Sequence, residues 1–245
     1  MDAMAKDELE RLRSWARDGF FIVRRAVDRS VVAELSDICD KVLQQVRATQ
    51  GSHGHTTTHI SGLLAPEYFV GRPEALSRLA DYASSREVVN LIQNLGRTDE
   101  GPLNLRDVQY FHEPSARDCD GAWHRDGDFP GLSESESPAA HPTLLRFRIA
   151  FAPDDHLEYV SGSHARPNTP EELAVLRGTT RNGPLPSKSI RIGLEGGDVC
   201  VFNVWGIHRA RYRRDRTRRT LHLSFGFGAR KRLTFGDLRG LVTAP

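Results

Sequence analysis

The chain is poor in sulfur, with three cysteines and two methionines in 245 residues. Cys39, Cys119 and Cys200 are an odd number without Cys-x-x-Cys spacing, which argues against a disulfide framework and a thiolate zinc cluster and fits a reducing compartment. An excess of one charge is missing too. The 34 basic and 32 acidic side chains leave a formal net charge of +2, so no cationic field of the kind carried by dedicated nucleic-acid binders covers the molecule. Long apolar runs are absent: none approaches the roughly 20 residues that span a bilayer. The opening stretch MDAMAKDELERLRSWARDGF is charged and lacks the apolar centre of a secretory signal. No repeat or low-complexity linker interrupts the chain. These absences predict a cytoplasmic monomer or homodimer with no membrane or nucleic-acid partner.

What is present divides at about residue 100. In the first part, Leu9, Leu12, Trp15 and Ala16 recur at helical spacing over 5–18. GFFIVRRAV reads as a strand, and Asp28 caps a second helix through Val31, Leu35, Ile38, Val42 and Val46. GSHGHTTTHISG, 51–62, is small and polar, and reads as a lid loop; a further helical pattern covers 74–95. Beyond residue 103, short alternating runs are separated by Gly, Pro, Asp and Asn, the mark of a β-sandwich or barrel. The predicted fold is mainly β with flanking helices: one domain over 1–245, with helical support in 1–100 packed on one face of a β-core in 101–235.

The stretch GAWHRDGDFPG carries chemistry. His124 and Asp126 are two apart, so on a strand they leave the same face. An imidazole beside a carboxylate is two-thirds of the facial triad of non-haem Fe(II) sites. The third ligand must come from a distant strand, and His208 follows the apolar run GGDVCVFNVWGI. After His208 the chain reads HRARYRRDRTRR, with seven arginines. Treated as a hairpin, this places Arg219 opposite His208, at the head of the apolar row Leu221, Leu223, Phe225, facing inward near the metal. A buried guanidinium needs an anion and suits a carboxylate. Arg209, Arg211, Arg213, Arg214, Arg216 and Arg218 are then the solvated rim. Trp123, Trp205 and Cys200 read as core packing.

WHRD, VSGSH, GGDVCVFNVWGIH and an arginine eleven positions after the last histidine together resemble the phytanoyl-CoA dioxygenase family, and RDGFFIVRRAVDRSVVAEL resembles its opening elements. The resemblance implies a double-stranded β-helix (a jelly-roll, cupin-like core) and an Fe(II)/2-oxoglutarate-dependent oxygenase using O2. It implies iron ligation by His124, Asp126 and His208, with 2-oxoglutarate held by Arg219 and Gln109. Ala210 stands where a serine is common, Arg125 replaces a common glutamine, and DDH replaces Asn-Gly. Asp126 occupies the position that halogenating relatives leave open, which favours hydroxylation, desaturation, epoxidation or ring closure. His112, Arg125, His59 and Arg146 or Arg148 are candidate pocket residues, and their polarity predicts a small polar substrate such as a sugar or aminoglycoside-type natural-product intermediate. The alternatives are a non-catalytic cupin-like metal-binding module and nucleic-acid binding through the arginine hairpin.

Overall fold

The computed structural model describes residues 3–49, 58–114, 117–126, 141–179 and 181–228. The first helix, α1 (Ala3–Asp18), stops at Gly19, whose φ of +83° is the left-handed conformation that closes a helix, its N–H donating to the Trp15 carbonyl at 3.0 Å. A Cβ there would also lie 2.4 Å from His164 Nδ1, so the turn admits only glycine. Strand β1 (Phe20–Val23) and helix α2 (Arg29–Thr49) follow as predicted. The loop expected over 51–62 contains a short strand, β2 (His59–Ile60), and its residues 51–57 lie outside the described residues.

The single helix expected over 74–95 is two, α3 (Pro73–Ala83) and α4 (Arg86–Ile92). Ser84 turns its hydroxyl back onto the Ala80 carbonyl, and Ser85 becomes the cap of α4, accepting from the Val88 N–H. A further helix, α5 (Pro170–Arg177), was not predicted, although TPEE is a plain start signal: Thr169 and Glu172 form a capping box with proline in the first turn.

The remaining strands are β3 (Leu103–His112), β4 (Cys119–Asp120), β5 (Leu144–Ala150), β6 (Asp154–Tyr159), β7 (Ile190–Leu194), β8 (Val199–Asn203), β9 (His208–Tyr212) and β10 (Arg219–Phe227). They make two antiparallel sheets, of order β1-β8-β5-β10-β3-β2 and β4-β9-β6-β7. The helices cover one face of the larger sheet: Trp15, Leu35, Val42, Leu79 and Ile92 share a core with Val108, Tyr110, Phe147, Ile149, Leu221, Leu223 and Phe225. Its other face meets the smaller sheet, where Cys200, Phe202 and Ala150 pack on Leu157, Tyr159, Ile192 and Leu194. Cys200 is thus a small buried hydrophobe, as expected.

The hairpin expected over 208–219 does not form. β9 pairs with β6 and β4, β10 pairs with β3 and β5, and residues 213–218 carry the chain from one sheet to the other. Among the described residues, no helix is long and apolar enough to cross a membrane.

Candidate metal centre

Backbone pairing brings the two ligand segments together. The His124 N–H donates to the His208 carbonyl at 3.0 Å, and the His208 N–H returns the bond at 2.9 Å, a closed antiparallel pair. Gly121 N–H to Ala210 O (2.8 Å) and Asp126 N–H to Val204 O (3.0 Å) extend the seam on both sides.

Across this seam, His124 Nε2 lies 3.2 Å and His208 Nε2 3.5 Å from Asp126 Oδ1. One ligand atom from each residue falls within 4.8 Å of the others. Each Nδ1 sits 2.8 Å from a backbone carbonyl, Ala122 O for His124 and Gly206 O for His208. A carbonyl only accepts, so each Nδ1 carries a proton, and Nε2, turned toward the carboxylate, is the nitrogen that offers a lone pair when the ring is neutral. Two lone pairs and an anion facing one another are the donor set of a divalent cation, and carbonyl-anchored imidazoles are its usual outer support. Burial, then the neighbouring His124, pushes the His208 imidazolium down and keeps that ring neutral. Tyr159 stacks on His208 and Phe202 meets it edge-on, at centroid distances of 6.3 and 5.3 Å. His208 is nearly enclosed, while 37% of the His124 side chain is exposed.

Arg146 of β5 completes the centre. Its Nε and Nη2 both donate to Asp126 Oδ2, at 3.1 and 2.9 Å, and its Nη1 donates to Ser224 Oγ at 2.5 Å and to Gln109 Oε1. Burial opposes ionisation of Asp126, yet its neighbours, the Arg146 guanidinium among them, hold its carboxyl well below the usual carboxylate range. Gln109 is buried on the same inner face, and its Nε2 donates to Ser61 Oγ at 3.0 Å.

Arg219 is not on that face. The row Leu221, Leu223, Phe225 that it heads faces the helices, and Arg219 Nε lies 2.9 Å from Asp40 Oδ1 of α2 while its Nη1 bonds Glu113. Ser224, of the opposite parity, is the one that touches Arg146. Arg218 shares that inner parity. It is buried, 4.8 Å over the Phe111 ring and 4.7 Å over Tyr212, and 3.7 Å from Asp154. Its Nε and Nη1 have no hydrogen-bond partner among the described residues.

Around Arg218 the interior is unexpectedly polar: Arg148, Asp154, His156 and His222 are all buried. Arg148 bonds Asp154, His156 Nδ1 lies 3.3 Å from Asp154 Oδ2, and Arg148 Nε, His156 Nε2 and His222 Nδ1 lack hydrogen-bond partners among the described residues. Buried polar atoms without a hydrogen-bond partner are rare in folded proteins, and here they gather around Arg218. Burial and the charges of Arg148, Arg218 and Arg146 push His222 well below the ordinary imidazole range.

Two proposed pocket residues are structural. Arg125 is buried, its guanidinium spent on the Ser163 carbonyl (2.7 Å), Asn168 Oδ1 (2.7 and 3.0 Å) and the Trp205 carbonyl, so it ties the VSGSH turn to the connection before β9. His112 lies in the helix-facing row, opposite Arg219, with Nδ1 2.9 Å from the Glu113 carbonyl. His59 does stand at the inner face, exposed and stacked on Phe111 at 4.9 Å, which in turn stacks on His222 at 4.2 Å. His53 and His55 lie outside the described residues.

The arginine run is not a uniform solvated rim. Arg209 is buried over Trp123 at 4.4 Å and 2.5 Å from Glu158. Arg213 pairs with Asp120 at 2.8 Å and Arg216 with Asp155 at 3.0 Å, and Arg211 reaches Asp120 and Glu158 at 3.4 and 3.6 Å. These guanidiniums face carboxylates of the smaller sheet, where phosphate recognition would need them open. Trp123 is a core residue, as expected.

No protein-family model matches the chain, and no curated protein matches it in sequence. Solved structures share its fold at low identity. AviO1 from Streptomyces viridochromogenes Tue57 is 19% identical with a TM-score of 0.58, over 90% of this chain and 95% of that one. The epimerase SnoN, solved with Fe3+, alpha ketoglutarate and nogalamycin RO, is 17% identical with a TM-score of 0.62, over 91% and 84%. EctD from S. alaskensis, solved with 2-oxoglutarate and 5-hydroxyectoine, is 15% identical with a TM-score of 0.62, over 97% and 83%.

Proposed function

We propose that this chain is an Fe(II)- and 2-oxoglutarate-dependent oxygenase that oxidises a C–H bond of a small polar molecule in natural-product tailoring. The observation that carries the reading is the convergence of two carbonyl-anchored imidazoles and one carboxylate oxygen. Two facing antiparallel sheets with the site between them fit the double-stranded β-helix expected of such enzymes. The iron and 2-oxoglutarate in SnoN, and the 2-oxoglutarate in EctD, support the same choice of cofactors.

In this reading His124, Asp126 and His208 hold the iron, and Arg218, not Arg219, receives the far carboxylate of 2-oxoglutarate. Arg218 has the inner-face position, the burial and the unpartnered N–H groups that a carboxylate requires. Bound iron and the oxo acid supply the oxidising chemistry, in which O2 and 2-oxoglutarate are consumed and succinate and CO2 released. Gln109 lines the interior, Tyr159 and Phe202 exclude water behind His208, and His59 stands at the rim where substrate enters. Asp126 fills the position that a halide would need, which favours oxygenation over halogenation.

Anaerobic addition of 2-oxoglutarate to the Fe(II)-loaded protein is expected to produce the visible metal-to-ligand absorption band, and O2 then to yield succinate. Both are lost in His124→Ala. A wild-type protein that takes up Fe(II) without developing the band favours the non-catalytic metal-binding module, for which Ala210 and the DDH segment speak.

A further inference from the structure

The fork of Arg146 onto Asp126 lies beyond the three-ligand reading, though it rests on it. Two N–H groups of one guanidinium converge on a single carboxylate oxygen, Oδ2, at 2.9 and 3.1 Å, while the other oxygen, Oδ1, faces both imidazoles. The third arm is fixed by Ser224 and Gln109, from β10 and β3. The guanidinium therefore cannot swing away without breaking contacts on two neighbouring strands.

We propose that Arg146 is a positioning residue with two effects on the metal centre. By occupying Oδ2 it makes Asp126 a ligand through Oδ1 alone, which keeps one coordination position clear for an incoming ligand. By its fixed positive charge it offsets the carboxylate, so a loaded centre keeps close to the full charge of a divalent cation and attracts anionic chelators such as an α-oxo acid. Charge at this separation in a partly buried site is a strong influence on anion affinity. A lysine would retain the charge and lose the fork, so the two effects are separable.

The test uses Co(II) as the metal and oxalate as the anionic chelator, measured by calorimetry and by the Co(II) visible spectrum in wild type, Arg146→Gln and Arg146→Lys. Arg146→Gln is expected to bind Co(II) within a few-fold of wild type, because loss of a nearby cation favours the metal while loss of the fork opposes it. Its loaded form should bind oxalate roughly tenfold or more weakly. Arg146→Lys should recover most of the oxalate affinity while its Co(II) spectrum changes as the freed Oδ2 joins the coordination sphere. Oxalate affinity unchanged in Arg146→Gln overturns the charge effect, and an unchanged spectrum in Arg146→Lys overturns the fork. Equal collapse of Co(II) binding in both variants makes Arg146 a mere scaffold and overturns the whole proposal. If Arg146→Gln folds poorly, Arg146→Lys still decides, by whether its spectrum shifts while oxalate affinity holds. Wild-type protein that binds no Co(II) would instead remove the metal reading itself, before any variant is compared.

Discussion

Arg218 and Arg219 are neighbours in the chain and stand on opposite sides of the larger sheet: Arg219 lies 2.9 Å from Asp40 on the helix side, Arg218 lies 3.7 Å from Asp154 in the interior. The pair separates two roles that either residue could have filled on paper. Replacing Arg218 by methionine should weaken 2-oxoglutarate binding to metal-loaded protein roughly 10- to 100-fold, the scale of one or two lost charge-assisted hydrogen bonds. Arg219→Met should leave that affinity within a few-fold and cost about 1 kcal/mol of stability, since its ion pairs are partly exposed. Calorimetric titration and denaturant unfolding of both variants check this, and the reverse order of effects would return the carboxylate to Arg219.

The imidazoles predict a second contrast. His124→Ala and His208→Ala should each lower Co(II) affinity by about 100-fold or more, since one of three protein ligands is gone. Only His208→Ala should also destabilise the metal-free protein, because His208 packs against Tyr159 and Phe202 in the interior while His124 is partly open. About 1–3 kcal/mol is expected for that cavity. Metal-free thermal unfolding of the two variants, followed side by side, reads the difference.

Arg125 should behave as a structural residue. Arg125→Gln removes the fork to Asn168 and the guanidinium bonds to the Ser163 and Trp205 carbonyls, all in a buried setting. A loss of about 2–4 kcal/mol in denaturant unfolding is expected. A loss below about 0.5 kcal/mol would return Arg125 to the list of substrate contacts.

Stability should fall in acid through Glu172. Burial opposes its ionisation, but Arg166, Ser187 and the Thr169 N–H, all bonded to its carboxylate, lower its pKa from 4.5 to about 2. A carboxyl depressed in the folded state stabilises fully above its unfolded pKa, and the contribution disappears as pH falls through the folded value. The wild type should therefore lose up to about 3 kcal/mol from this group between roughly pH 5 and pH 2. Glu172→Gln should be less stable at pH 7 and show a flatter profile over that window. Unfolding midpoints in denaturant at several pH values test both halves; an unchanged slope in the variant would remove Glu172 as the cause.

Much of the site was legible as local chemistry. The His-x-Asp pair and a histidine following an apolar run point to each other because a facial metal centre needs that donor set, and the structure brings one ligand atom each of His124, Asp126 and His208 within 4.8 Å of one another. Helix ends were legible where a side chain caps its own backbone. The split at Ser84 and Ser85 was missed because the hydrophobic spacing of α3 and α4 runs through the break without a proline or glycine to mark it.

Residue order alone determined the candidate ligand types, the strand-rich second half and the period-two rows of β10. It did not determine which row of β10 faces inward, because both rows are largely buried and the row with the stronger apolar pattern is the one the helices cover. The inner row, Thr220, His222 and Ser224, is polar because it borders a site. Only the crossing of residues 213–218 between the two sheets, and the seating of α2 against the outer face, decided that Arg218 turns in and Arg219 turns out. That choice depends on contacts between segments more than a hundred residues apart, which local alternation does not encode.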